Sequence, residues 1–164
     1  MDLSQVLQIV SRSDAGMVRS HNEDAVFANA ACGLAILADG MGGYNAGEVA
    51  SGMATTLLGS EIEKAFQKKQ PHQLDASGKL YSHAVLESEI ARANTAIYQA
   101  AQSQPQYAGM GTTLVVALFY DNMMTVAHIG DSRLYRLRGG ELQVITRDHS
   151  LLQEQIDSGM ITAE

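Results

Sequence analysis

The sequence predicts an α+β fold in which an antiparallel sheet system is covered by helices. Three observations carry this: short β-rich segments open the chain, two long stretches of helical periodicity follow, and the hydrophobic pattern then returns to strands. An alternating parallel βαβ wind would interleave the two periods, whereas this chain segregates them. With 164 residues, 46% of them hydrophobic, the chain is long enough for one packed domain spanning 1–164.

The first expected strands are "VLQIVS" (6–11), "AVFANA" (25–30) and "GLAILAD" (33–39), each rich in strand-forming residues and separated by polar or glycine-bearing turns. The third ends at Asp39. From about Ala46 to Phe66 apolar residues fall at helical spacing, with Val49, Met53 and Leu57 on one line and Ala50, Ala54, Leu58 and Ile62 beside it. Pro71 and Gly78 break the pattern within "QKKQPHQLDASGK". Leu86, Ile90, Ala93, Ile97 and Ala101 then trace a second amphipathic helix. "TTLVVALFY" (112–120) is a β-branched, nearly continuous apolar run suited to a strand buried on both faces. Asp121 and Asn122 turn it back into "MMTVAHIG". The last expected pair, "RLYRLRG" and "GELQVIT", meets at Gly139 and Gly140, a dipeptide suited to the positive φ angles of a tight hairpin.

Charge and composition exclude several functions. Eleven Lys plus Arg against 18 Asp plus Glu leave a net charge of -7, so no basic face for nucleic acid or anionic lipid is evident. The N-terminal "MDLSQVLQIV" lacks a secretory pattern, and no apolar run approaches the roughly 20 residues needed to span a bilayer. Cys32 is the single cysteine, so an internal disulfide is ruled out; together these points predict a cytoplasmic location.

The stretch "LAILADGMGGYNAGEV" (34–49) runs an apolar strand into a lone carboxylate and a cluster of glycines. A nucleotide loop fails on chemistry. Gly42 to Gly47 has phosphate-loop spacing, but Glu48 stands where lysine is required and Val49 where the metal-binding hydroxyl belongs. The dinucleotide fingerprint fails at Asn45, where a third glycine is needed. An isolated Asp-Gly is ordinary turn chemistry, yet a strand-terminal Asp39 followed by Gly40 also suits a hard cation, the carboxylate and the glycine carbonyl both offering oxygen. Two further segments fit the same site. "RSHNEDA" sets Arg19 near Glu23 and Asp24, with Arg19 able to offer a planar fork to phosphate oxygens. "HIGDSRLY" places Asp131 at another strand end. Taken alone each reads as a solvated turn; together they supply carboxylates and carbonyls, which favour Mg or Mn over Zn. The five histidines are scattered without zinc-site spacing, there is no G-x-S-x-G elbow, and Cys32 lies in an apolar stretch that suggests core packing.

In order across nearly the whole chain, "SDAGMVRSHNEDA", "LADGMGGYNAGEVAS", "GMGTTLVVALF", "AHIGDSRLYRLRGGEL" and "TRDHSLLQEQIDSGMITAE" resemble the PPM-type, metal-dependent protein serine/threonine phosphatases, the type 2C class, in their bacterial form. The resemblance implies two stacked antiparallel sheets flanked by helix pairs, with a two-metal centre at one end. It implies that Asp39 bridges two Mn or Mg ions, that the Gly40 carbonyl binds one of them and Asp24 contacts the same ion directly or through water, and that Arg19 holds the substrate phosphate. Asp131 matches the position of an additional, weaker metal, and Glu23 falls in the outer shell. A hydroxide held between the ions would attack phosphorus in line, without a phosphoenzyme.

Departures from the pattern accompany the matches. Eukaryotic members carry histidine where Met41 stands and many bacterial relatives carry one where Tyr44 stands, so the acid for the leaving alcohol is unassigned, with Tyr44 a candidate donor. The chain stops at Glu164 inside what resembles the flap segment, before a D-G motif and a late aspartate that supply further ligands in the family. The expectation is therefore a C-terminally incomplete phosphatase domain, weakly active or inactive alone, whose parent removes phosphate from phosphoserine or phosphothreonine on proteins and opposes a serine/threonine kinase. The competing expectation is a catalytically silent phosphatase-like module that binds a phosphoprotein.

Overall fold

A computed structural model gives the structure and describes residues 2–43 and 46–162. Strand β1 (Asp24–Asn29) turns into β2 (Leu34–Met41) and pairs with it antiparallel, Asp24 opposite Asp39 and Asn29 opposite Leu34. The turn closes at Gly33, whose φ of 71° and close approach to the Phe119 carbonyl admit no side chain. On its other edge β2 pairs with β4 (Leu114–Tyr120), and β4 with β5 (Met123–Ile129). The two-residue β3 (Gly111–Thr112) extends the ladder opposite Gly40 and Met41. The result is a five-stranded antiparallel sheet, β1-β2-β4-β5 with β3 alongside the end of β2.

The alternation of side chains along β2 decides what each face does. Leu34, Ile36 and Ala38 are buried beneath helix α1 (Ala46–Lys68), while Leu37 and Asp39 point to the opposite, open face. The core between sheet and helices holds Leu34, Ile36, Val116 and Leu118 from the strands against Leu58 and Ile62 of α1 and Val85 and Leu86 of α2 (Tyr81–Ser103). Each fully buried Leu or Ile contributes about 1.5–3 kcal/mol. Of the two expected apolar lines on α1, Ala50, Ala54, Leu58 and Ile62 are all buried, Leu58 and Ile62 in this core and Ala50 in a smaller cluster where Val49 and Met53 pack with Ile97 and Ala101 of α2, while Leu57 stays exposed. Cys32 packs at the core margin, as its apolar surroundings predict.

Strand β4 is buried on both faces, in agreement with its unbroken apolar run. Its last residue, Tyr120, carries a hydroxyl into the interior, where it meets Ser82 Oγ at 3.1 Å and Thr125 Oγ1 at 2.8 Å. Tyr120→Phe should lower stability by about 1 kcal/mol, with Ser82 and Thr125 left to pair with each other. A urea titration checks this, and an unchanged midpoint would show the triad to be energetically idle.

A second, two-stranded sheet follows, β6 (Tyr135–Arg138) with β7 (Glu141–Val144), turned at Gly139 (φ 59°) and Gly140 (φ 84°) as the dipeptide predicts. Its base is tied down by Arg133, which grips both oxygens of Asp148, and this holds the Asp148 carboxyl below its usual range. Helix α3 (Leu151–Asp157) begins at Ser150, whose hydroxyl accepts from the Gln153 amide.

One expected element does not form. "VLQIVS" is not a strand: Leu3 docks on the core and its carbonyl accepts from the amides of Val6 and Leu7, so the chain turns there, and Val6 and Val10 remain exposed. Apolar alternation supplies strand propensity, but a strand also needs an edge to pair with, and residues 7–15 find none among the described residues. No helix among the described residues is long and apolar enough to cross a membrane.

Candidate metal centre

The register of the β1–β2 hairpin brings the two principal carboxylates together. Because Asp24 and Asp39 are directly opposed on antiparallel strands, both side chains leave the same, open face of the sheet at its end. Burial pushes the Asp39 carboxyl above its usual range, and the nearby Asp24 carboxylate adds repulsion and a hydrogen bond in the same direction. Asp131 raises it further and Arg19 opposes the shift, which places all four groups within one electrostatic neighbourhood. Like charges facing across a ladder destabilise it unless a cation intervenes.

Asp131 enters from the turn after β5, behind Gly130 at φ 96°. Arg19 lies 4.0 Å from Glu23, and its side chain is 72% exposed, so the guanidinium is free to reorient toward a ligand. These residues line an open cleft of about 810 Å³ with Arg19, Glu23, Asp39, Gly40, Thr113 and Asp131 on its walls.

The glycines also permit a close approach between strand and helix. A Cβ on Gly40 would sit 2.1 Å from the Gly47 carbonyl oxygen, and one on Gly47 would meet Glu23 Oε1 at 2.8 Å. The pair exists so that the end of β2 can touch the first turn of α1. The contact is locked by the Glu23 carbonyl, which accepts from the Gly40 amide at 3.1 Å and from the buried Ser51 hydroxyl at 2.6 Å.

The residues present fit a hard divalent cation in chemistry: oxygen donors only, negatively charged and incompletely compensated. Among the described residues no three acidic, histidine or cysteine side chains are already closed around a common point. Asp24 and Asp39 form a pair with Asp131 set apart, so water or other donors must complete any shell. Arg19, Glu23, Asp24, Asp39, Gly40 and Asp131 lie together at this end of the sheet; Tyr44 lies outside the described residues. Cys32 lies apart, lining a different pocket with its thiol pushed up by burial and by Glu63. Sequence inspection passed over Thr113 and Ser132, whose hydroxyls stand 2.7 Å apart beside the carboxylates. The available signal was a threonine pair set immediately ahead of a wholly apolar strand.

Residues 17–157 match the protein phosphatase 2C family. The chain is 43% identical over 159 residues to the serine/threonine protein phosphatase PstP of Mycobacterium tuberculosis, a match covering 97% of this chain and 28% of that protein. Over 161 residues it is 40% identical to the protein phosphatase PhpP of Streptococcus pneumoniae, covering 96% of this chain and 61% of that one. Among solved structures, the catalytic domain of PstP in complex with 2 manganese ions superposes with a TM-score of 0.77 at 41% identity, covering 93% of this chain and 60% of that one. The chain thus spans less than two thirds of the length of these relatives. An acidic pair opposed across β1 and β2, with an arginine in the same cleft, agrees with that likeness: the chain belongs to the protein phosphatase 2C family.

Proposed function

We propose that the protein carrying this sequence hydrolyses phosphoserine and phosphothreonine esters on proteins, with Mn2+ or Mg2+ held at the Asp24–Asp39 end of the sheet. The observation that carries this is the opposition of Asp24 and Asp39 on one ladder, with Arg19 and Asp131 in the same cleft. Bound there, divalent cations lower the pKa of water and stabilise charge on the entering and leaving oxygens. Asp39, Asp24, the Gly40 carbonyl and Asp131 would hold the ions as oxygen donors, with Asp39 contributing the most enclosed carboxylate. Arg19 orients the phosphoryl group through paired N–H donors, with Glu23 steering the guanidinium. Water would attack phosphorus directly, with no phosphoenzyme, and the ester oxygen would leave as the serine or threonine alcohol. Residues 1–164 form part of one phosphatase domain. A cytoplasmic setting suits the unpaired Cys32 and a substrate made by an opposing serine/threonine kinase.

The test is Mn2+-dependent phosphate release from a phosphothreonine peptide. Arg19→Ala should raise KM about ten- to a hundredfold, the worth of a charged hydrogen-bond pair, with a smaller change in kcat. Peptide binding by the full-length protein with no phosphate release at any Mn2+ concentration would instead identify a silent binding module.

A further inference from the structure

We propose that Thr113 and Ser132 are positioning residues whose hydroxyl bridge fixes the Asp131 turn relative to the Asp39 strand end and thereby sets cation affinity at Asp131. This rests on the cleft being a metal centre.

Thr113 is 4% exposed and stands between β3 and β4. It brackets the backbone of Asp39 from both sides: its amide donates to the Asp39 carbonyl at 2.9 Å, and its Oγ1 accepts from the Asp39 amide at 3.0 Å. Thr112 Oγ1 donates to the same carbonyl at 3.0 Å. A threonine hydroxyl that accepts one bond still has a proton and a lone pair to offer, and Thr113 Oγ1 uses this capacity on Ser132 Oγ, 2.7 Å away. Its methyl group faces the same turn. A Cβ on Gly130 would fall 2.8 Å from Thr113 Cγ2, so the turn can close on Thr113 only because position 130 is glycine. His149 holds the far side by donating its amide to the Gly130 carbonyl at 2.9 Å. The two chain neighbours of Asp131 both meet Thr113, Gly130 against its methyl group and Ser132 through its hydroxyl. One buried side chain therefore links the Asp39 backbone on β2 to Gly130 and Ser132, the neighbours of Asp131 beyond β5.

Groups that orient metal ligands typically change metal affinity ten- to a hundredfold when removed. In calorimetric Mn2+ titrations of the chain, Thr113→Val, which keeps the shape and loses the hydroxyl, should weaken binding about tenfold. Ser132→Ala, at a less buried position, should do the same, while Thr113→Ser should stay within about twofold of the parent because the bridge survives. The deciding comparison is a double-mutant cycle on the Asp131 side of the bridge: Ser132→Ala added to Asp131→Asn should cost nothing beyond Asp131→Asn alone. Additive losses, or parent-like affinity in both Thr113→Val and Ser132→Ala while Asp131→Asn is weakened, overturn the proposal. If Asp39→Asn and Asp131→Asn also bind Mn2+ like the parent, the metal-centre assignment itself fails and the positioning role falls with it.

Discussion

Asp39→Asn should lower Mn2+ affinity by about a hundredfold or more, since it removes a charged ligand directly and not merely its support. The same substitution should make the metal-free chain more stable at neutral pH. Asp39 titrates above the usual carboxylate range in the folded state because burial and Asp24 disfavour its charge. A raised carboxyl pKa means that the folded chain binds the proton more tightly than the unfolded one. Its favourable contribution is fully present below the unfolded value near 3.8 and is lost as pH rises through the higher folded value. At pH 7 the parent bears the whole repulsion and the asparagine variant does not. Melting curves without metal should therefore place the variant above the parent at pH 7, with the difference shrinking as pH falls toward 4. Saturating Mn2+ should reverse the order, because binding stabilises only the chain that can hold the ion. Equal Mn2+ binding by parent and variant would remove Asp39 from the centre.

Much of this arrangement was legible because the relevant signals are local. The apolar run 112–120, the Gly139–Gly140 hairpin and the helical spacing of Ala50, Ala54, Leu58 and Ile62 each depend on neighbours in sequence, and each appears where expected. Asp24 and Asp39 were legible as strand ends, and a short hairpin leaves few registers in which strand ends fail to meet. What escaped depended on partners distant in sequence. Residues 6–11 have the composition of a strand but no edge to join, and composition carries no information about edges. The Thr113–Ser132 bridge joins residues 19 apart, and neither differs from an ordinary turn hydroxyl until the fold sets them together. The glycines at 40 and 47 were identifiable as special, but their reason is a contact between a strand and the following helix, which only the packed structure reveals.

That contact supports the second large effect. Gly40→Ala should destabilise the chain by about 3 kcal/mol, at the upper end for overpacking, because the new Cβ meets fixed backbone on two sides. Those neighbours are the Gly47 carbonyl oxygen at 2.1 Å and the Glu23 carbonyl oxygen at 2.7 Å. A flexible side chain could swing away, but here a strand must separate from the first turn of a helix. Separation also breaks the hydrogen bond that the Gly40 N–H donates to the Glu23 carbonyl and shifts Asp39, one residue earlier, so Mn2+ binding should weaken together with stability. The melting temperature should fall by about 6–12 °C for a chain of this size. Gly52→Ala is the informative contrast. Gly52 lies within α1, and a Cβ there meets nothing within 4 Å. Alanine there should gain helix propensity and raise stability by about 0.5–1 kcal/mol. Opposite shifts from the same one-carbon change would show that close packing at the end of β2, and not a general preference for glycine, holds the carboxylate pair in place. A Gly40→Ala chain that melts with the parent would mean that the strand end yields without cost and that the Gly40–Gly47 contact positions nothing.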